Sequence, residues 1–133
     1  MQVREGMSEV VLTVGPGHTL REAARMMSEK GVGAAIVVDE EAPGPGIISE
    51  RDVLISVGRG QDPDAEPVSD HMSASVITAA PDWSLERAAT DMAARGIRHL
   101  VIVEGGELVG VLSMRDIMRV WTSAGATSAM SPG

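Results

Sequence analysis

Gly110-Val111-Leu112-Ser113-Met114-Arg115-Asp116 reads as the end of a buried strand that turns directly into a helix. The apolar pair after the glycine belongs to the strand. A serine followed three residues later by an aspartate marks a helix start, where the hydroxyl takes a first-turn amide and the carboxylate reaches back. The same words occur earlier as Gly46-Ile47-Ile48-Ser49-Glu50-Arg51-Asp52. A phrase used twice in 133 residues predicts a duplicated unit with two equivalent corners.

Working outward, the repeat is displaced by about 65 residues. Val3 and Met7-Ser8 match Val68 and Met72-Ser73; Thr13, Pro16 and Leu20 match Thr78, Pro81 and Leu85. Ala23-Ala24, Met27 and Gly31 match Ala88-Ala89, Met92 and Gly96, and Ile36-Val37-Val38 falls in step with Val101-Ile102-Val103. The register then slips by one residue, so that Gly46 aligns with Gly110. Each copy reads strand, helix, strand, strand, helix. In the first copy, Val10 to Val14 is a strand stopped by Gly15-Pro16-Gly17. Thr19 and Glu22 form a capping box, Leu20, Ala23, Ala24 and Met27 share a helical face, and Gly31 ends the helix. Ala34 to Val38 is a continuous apolar run, as in a strand buried on both faces, followed by strand 46–49 and helix 50–57. In the second copy, strand 76–78 precedes a helix capped by Ser84 and stopped by Gly96. Strands 100–103 and 108–112 then form a hairpin around Gly105-Gly106, and helix 114–122 follows. The expected organisation is repeat 1 at 1–58, a linker at 59–67, repeat 2 at 68–123 and a flexible tail at 124–133. The fold class is α/β: two βαββα repeats related by approximate two-fold symmetry, their sheets packed together over equivalent clefts.

Composition limits the chemistry. With no cysteine, disulfides, thiolate catalysis and Cys-ligated zinc are excluded, which fits a cytoplasmic setting. A net charge of -8 repels phosphate backbones and argues against nucleic-acid binding. No apolar stretch is long enough for a membrane span, and no secretory signal is visible. The three scattered histidines lack metal-ligand spacing, and His18 and His71 are expected at the surface. No nucleophile–base pair or phosphate-binding Gly-x-x-x-x-Gly-Lys loop occurs, so catalysis is not expected. Phe and Tyr are absent, leaving a core of aliphatic residues and methionine; Trp121 reads as a packing or dimer anchor.

The corners carry two readings. Ser113 and Asp116, like Ser49 and Asp52, serve as helix caps whether or not a ligand is present. A carboxylate there can also accept two hydrogen bonds from a sugar diol, and free first-turn amides can donate to phosphate. Arg98 and His99, adjacent basic residues in an acidic chain, suggest an anion pocket or else one solvent-facing and one locally bonded side chain; Arg51 and Arg115 can add a bidentate phosphate contact or equally pair with the aspartate one residue on or with a partner chain.

The ordered set of these phrases, found twice over residues 3 to 122, resembles a tandem pair of cystathionine β-synthase (CBS) domains, the Bateman module. Met7-Ser8 and Asp70-His71-Met72-Ser73 resemble the family's lead-in, and Gly96-Ile97-Arg98-His99-Leu100 its entry to the second strand. A pair standing alone is similar to the small stress-induced members such as the hypoxic response protein. The resemblance implies a regulatory module without catalytic activity or required cofactor. It would bind AMP, ADP, ATP or S-adenosylmethionine between its repeats, form a homodimer and act on an unknown regulated protein. It implies ribose-binding roles for Asp116 and Asp52, hydroxyl contacts from Ser113 and Ser49, and phosphate contacts from Arg98 and His99. Val76, Ile77 and Ile97 are core residues by default and would flank the adenine if the cleft is occupied, with Thr78 also assigned to the ligand site. Gly33 and Ala34 occupy the basic positions in the first copy, which sets its site apart. The rival reading is a ligand-free dimeric interaction protein acting through its surface.

Overall fold

Helix starts and stops are written locally, and they fix the order of elements. The computed structural model describes residues 1–9 and 11–123; the tail expected at 124–133 lies outside them. Thr19 caps helix α1 (Leu20–Lys30) by accepting from the Glu22 amide, and Glu22 reaches back to Thr19. Gly31 ends α1 at φ 67°, a left-handed conformation that costs glycine little. Ser84 accepts from the Arg87 amide at the start of helix α3 (Leu85–Arg95), without a return bond from the side chain, and Gly96 ends it at φ 65°. Helices α2 (Glu50–Gly58) and α4 (Met114–Trp121) begin at Ser49 and Ser113.

Strands β1 (Thr13–Val14), β2 (Ala34–Val37) and β3 (Gly46–Ser49) form one three-stranded sheet in that order. Strands β4 (Thr78–Ala79), β5 (His99–Glu104) and β6 (Glu107–Ser113) form a second in the same order. In both, the central strand pairs parallel with the short first strand and antiparallel with the third. The wholly buried β2 is thus hydrogen-bonded on both edges and covered on both faces, as its apolar run predicts, but it ends at Val37, and Val38, the last residue of that run, is exposed. Gly105 and Gly106, at φ 60° and 81°, make the two-residue turn of the β5–β6 hairpin. The first strands differ from the expected 10–14 and 76–78: β1 is shorter, with Val10 outside the described residues, and β4 is displaced toward Ala79. Only Thr13 and Val14, or Thr78 and Ala79, reach ladder partners on the central strand.

The chain divides into two compact units, and they do not coincide with the sequence repeats. One is residues Val11–Val76; the other joins the N-terminal stretch to everything from Ile77 onward. The cause is an exchange of lead-ins. The single helical turn Val3–Glu5 binds the second unit: the amides of Val3 and Arg4 donate to the carbonyls of Trp83 and Pro81, and Ser8 pairs with Val111. The turn Val68–Asp70 repeats this on the first: Val68 and Ser69 donate to His18 and Pro16, and Ser73 pairs with Ile47. Val3 and Val68 are both fully buried in the cores they join. Each such burial contributes about 1.5–3 kcal/mol.

This crossing explains the glycine that opens each corner phrase. A side-chain carbon on Gly110 would stand 2.8 Å from the Ser8 carbonyl oxygen and 2.9 Å from Met7 Sδ. On Gly46 it would stand 3.0 Å from both Met72 Sδ and the Ser73 carbonyl oxygen. Each lead-in runs over its partner strand where only a hydrogen leaves room. Around these features, Leu20, Met27, Val37 and Ile48 build the core of one unit, and Leu85, Met92, Leu100, Leu112 and Ile117 that of the other.

Candidate functional site

The two corners are superposable in their hydrogen bonding. At the second, the Ser113 amide donates to Asp116 Oδ2 at 2.9 Å, and the Asp116 amide donates to Ser113 Oγ at 3.0 Å. At the first, the Ser49 amide donates to Asp52 Oδ2 at 2.8 Å, and the Asp52 amide donates to Ser49 Oγ at 3.4 Å. The Ser49 hydroxyl also lies 3.0 Å from Asp52 Oδ2. Both are complete capping boxes that satisfy first-turn amides.

The strand ladders then deliver the neighbours. His99 pairs across the sheet with Ser113, and the Met114 amide donates to the Arg98 carbonyl at 2.9 Å. Ala34 pairs with Ser49, and the Glu50 amide donates to the Gly33 carbonyl at 2.9 Å. The correspondence of Arg98 and His99 with Gly33 and Ala34 is therefore one of backbone position. The second corner gathers Arg98, His99, Ser113, Arg115 and Asp116; Arg98 and Arg115 are exposed, while His99, Ser113 and Asp116 are half-buried. The first gathers Ser49, Arg51 and Asp52 with no basic pair, and the Glu50 carboxylate lies beside Gly33, within 3.3 Å of where a side chain would begin.

Thr78 is exposed on β4 opposite Val101, and the Ile77 carbonyl accepts from the Val101 amide at 3.0 Å. Ile77 and Ile97 are half-buried and pack against the core of the same unit. These two serve the core whatever else they touch.

Arg119 was not singled out by the sequence reading and belongs to this corner. Its Nη2 donates to Asp116 Oδ1 at 3.2 Å and to the Gly6 carbonyl at 3.3 Å. The signal was present as an Asp–Arg pair three residues apart on one helix face. The corresponding residue of α2 is Ile55. His71 departs from its expected surface place. Its side chain is only 13% exposed, because Nε2 lies 2.8 Å from Glu66 Oε1 and holds the segment before β4 together. His18 is also half-buried, with Nδ1 accepting from the Gly15 amide at 2.9 Å. Among the described residues no cluster of His, Asp or Glu is arranged to hold a metal, and no helix is long and apolar enough to cross a membrane.

Known proteins share this plan. The family model described as the CBS domain matches residues 2–58 and again 68–123. An uncharacterised protein of Methanopyrus kandleri is 40% identical over 112 residues, covering 83% of this chain; the chain spans only 57% of that relative's length. The CBS domain-containing protein YhcV of Bacillus subtilis is 37% identical over 116 residues, covering 86% of this chain and 81% of YhcV. A CBS domain protein from Pyrobaculum aerophilum, solved as a complex with AMP, is 32% identical with a TM-score of 0.76, covering 93% of this chain and 100% of that one. The duplicated strand-to-helix corner, the two three-stranded sheets and these matches agree: the chain belongs to the CBS-domain family and carries a tandem pair of these regulatory domains.

Proposed function

We propose that this chain is a non-catalytic regulatory module that binds an adenosine phosphate at the corner of its second repeat. The observation that carries the reading is the charge of that corner: Arg98, His99 and Arg115 lie around the Ser113–Asp116 helix start, and the first corner lacks the Arg98–His99 pair. The AMP complex of the Pyrobaculum relative supports the ligand class.

Each residue has a physical task. Asp116 accepts from the two ribose hydroxyls. Its Oδ2 is already engaged by the Ser113 amide, so the diol competes with Arg119 for Oδ1. Arg119 is 62% exposed in its side chain, so it can swing into water at small cost. The Arg98 and Arg115 guanidiniums answer the phosphate charge beside the positive end of the α4 dipole. Thr78 and the preceding Ile77 offer the β4 edge to the base, with Ile97 just ahead of the neighbouring β5. S-adenosylmethionine offers these guanidiniums a single carboxylate and brings an ammonium and a sulfonium with it, so AMP, ADP or ATP fits the charge of the corner better.

The test is a thermal-shift series with AMP, ADP, ATP and S-adenosylmethionine at millimolar concentration. A ligand at a hundredfold excess over its Kd adds about 2.7 kcal/mol, which raises Tm by roughly 8–10 °C in a chain of this size. No shift with any of the four overturns the reading. One observation favours a second reading, a ligand-free interaction protein: both Asp116 oxygens already have protein partners. Native mass spectrometry of freshly purified protein separates the two, because a co-purifying nucleotide is incompatible with a corner closed by its own side chains.

A further inference from the structure

Two methionines occupy equivalent places where the chain crosses itself, and the corner chemistry uses neither. Met7 Sδ lies 2.9 Å from where a side-chain carbon on Gly110 would stand, and Met72 Sδ 3.0 Å from the same point on Gly46. Each sulfur therefore rests on the backbone of the strand that its lead-in crosses. Met7 packs against the core that contains Leu100 and Leu112, and Met72 against the core that contains Leu20 and Ile48. Both side chains are half-buried, so each keeps some contact with solvent. Met27 and Met92, by contrast, are buried in the two cores, and Met1 and Met118 stand exposed. In a chain without cysteine, the thioethers are the sulfurs open to oxidation.

The polar groups beside the two sulfurs are already paired. The Met7 amide donates to the Val3 carbonyl at 2.9 Å, and the Val111 amide to the Ser8 carbonyl at 3.1 Å. At the other crossing the Met72 amide donates to the Val68 carbonyl at 2.9 Å, and the Ile47 amide to the Ser73 carbonyl at 2.9 Å. An oxygen added to either sulfur is a strong acceptor placed beside a carbonyl oxygen, where these amides are taken. It also needs room at a contact too close for a methyl group on the glycine.

We propose that Met7 and Met72 are a matched pair of modification sites, at which a two-electron oxidant of the hydroperoxide class converts the thioether to a sulfoxide and lifts the lead-in off its strand. A sulfur lone pair attacks one peroxide oxygen, and the S–O bond forms as the O–O bond breaks. The displaced hydroxide takes the proton from the new S–OH group and leaves as water. Sulfur gives up two electrons, the peroxide gains them, and one peroxide is consumed at each site. The change is reversible, because methionine sulfoxide reductases return the thioether.

The test treats the folded protein with millimolar hydrogen peroxide, follows each sulfoxide by peptide mass spectrometry and records Tm along the time course. Met1 and Met118 should oxidise first and leave Tm unchanged. Met7 and Met72 should follow, each lowering Tm by roughly 5 °C, with Met27 and Met92 last. Reductase treatment should restore both mass and Tm. Oxidation of Met7 and Met72 with no change in Tm overturns the proposal, and so does protection of both to the level of Met27 and Met92. These two outcomes are read on the unsubstituted chain, so they stand whether or not a variant folds. Met7→Leu combined with Met72→Leu keeps the apolar contact and removes the oxidisable sulfur, so Tm should survive peroxide. An equal fall in that variant assigns the loss to other methionines and overturns the proposal. Trp121→Phe leaves Trp83 as the single tryptophan. Because the Val3 amide is bonded to the Trp83 carbonyl, release of the first lead-in should move Trp83 emission to the red. Unchanged emission at full oxidation of Met7 overturns the release.

Discussion

The two corners have one backbone and opposite chemistry. In both, a strand ends in a serine, a capping box opens a helix, and the carbonyl two strands back accepts the first helical amide at 2.9 Å. At the second corner that carbonyl belongs to Arg98, the residue facing the serine is His99, and the aspartate is braced by Arg119. At the first corner the same places hold Gly33, Ala34 and Ile55, and Glu50 turns its carboxylate to Gly33. Duplication thus conserves the scaffold, which depends on caps and on a close chain crossing. A handful of side chains then decides whether the scaffold can attract an anion.

The comparison can be broken most sharply with the aspartates. Asp116→Ala is expected to abolish any nucleotide-dependent rise in Tm, about 2.7 kcal/mol at a hundredfold excess over Kd, while Asp52→Ala leaves the rise in place. Equal effects would show that the corners are functionally alike. Next in size is the crossing itself. Gly110→Ala forces a backbone oxygen and a thioether aside and should cost about 2 kcal/mol in chemical denaturation, whereas Gly46→Ala, with slightly more room, should cost less. A reversed order would refute the steric account.

A smaller effect is expected of Arg119→Ala. Removing the cation that competes for Asp116 Oδ1 should tighten nucleotide binding roughly two- to fivefold in calorimetry. A weaker complex would mean that Arg119 holds the ligand rather than the empty corner. The smallest effect concerns the other helix starts. Glu22 completes a capping box on α1, and the Thr19 amide and hydroxyl hold its carboxyl below the ordinary range. A depressed folded value means that its contribution is present above the ordinary carboxylate range and fades as pH falls through the lowered value. Glu22→Gln should therefore shrink the loss of Tm on acidification. At α3 the same position is Arg87, which instead lies 3.5 Å from the centre of the Trp83 ring, so Arg87→Gln should leave that loss unchanged.

Most of the fold was legible because caps and stops act at fixed spacing. Thr19, Ser49, Ser84 and Ser113 start the four helices, and Gly31 and Gly96 end two of them, as the sequence implies. What depended on partners was harder to read. The apolar run before Gly15 looks like a full strand, but only Thr13 and Val14 find ladder partners, and the strand expected at 76–78 is displaced to Thr78–Ala79. His71 looked like a surface residue because nothing local shows that Glu66 folds back onto it. The exchange of lead-ins was also hidden, since a repeat suggests that each copy keeps its own opening residues. Gly46 and Gly110 carried the clue, but a glycine does not name the chain that crosses it. For the site, Ser113 and Asp116 were readable as a pair, whereas the bond from Arg119 to Gly6 needed the folded crossing to become visible.

The exchange has a consequence for how the molecule is made. Residues 11–76 are contiguous, so that unit can close as soon as its own stretch has left the ribosome. The other unit needs Val3 on Trp83 and Gly6 against Val120, so its opening residues must wait for their berth until the stretch from Ile77 onward has been made. A force or a fused carrier acting ahead of Val11 is therefore felt not by the helix that follows next in the chain but by the later sheet, β4–β6.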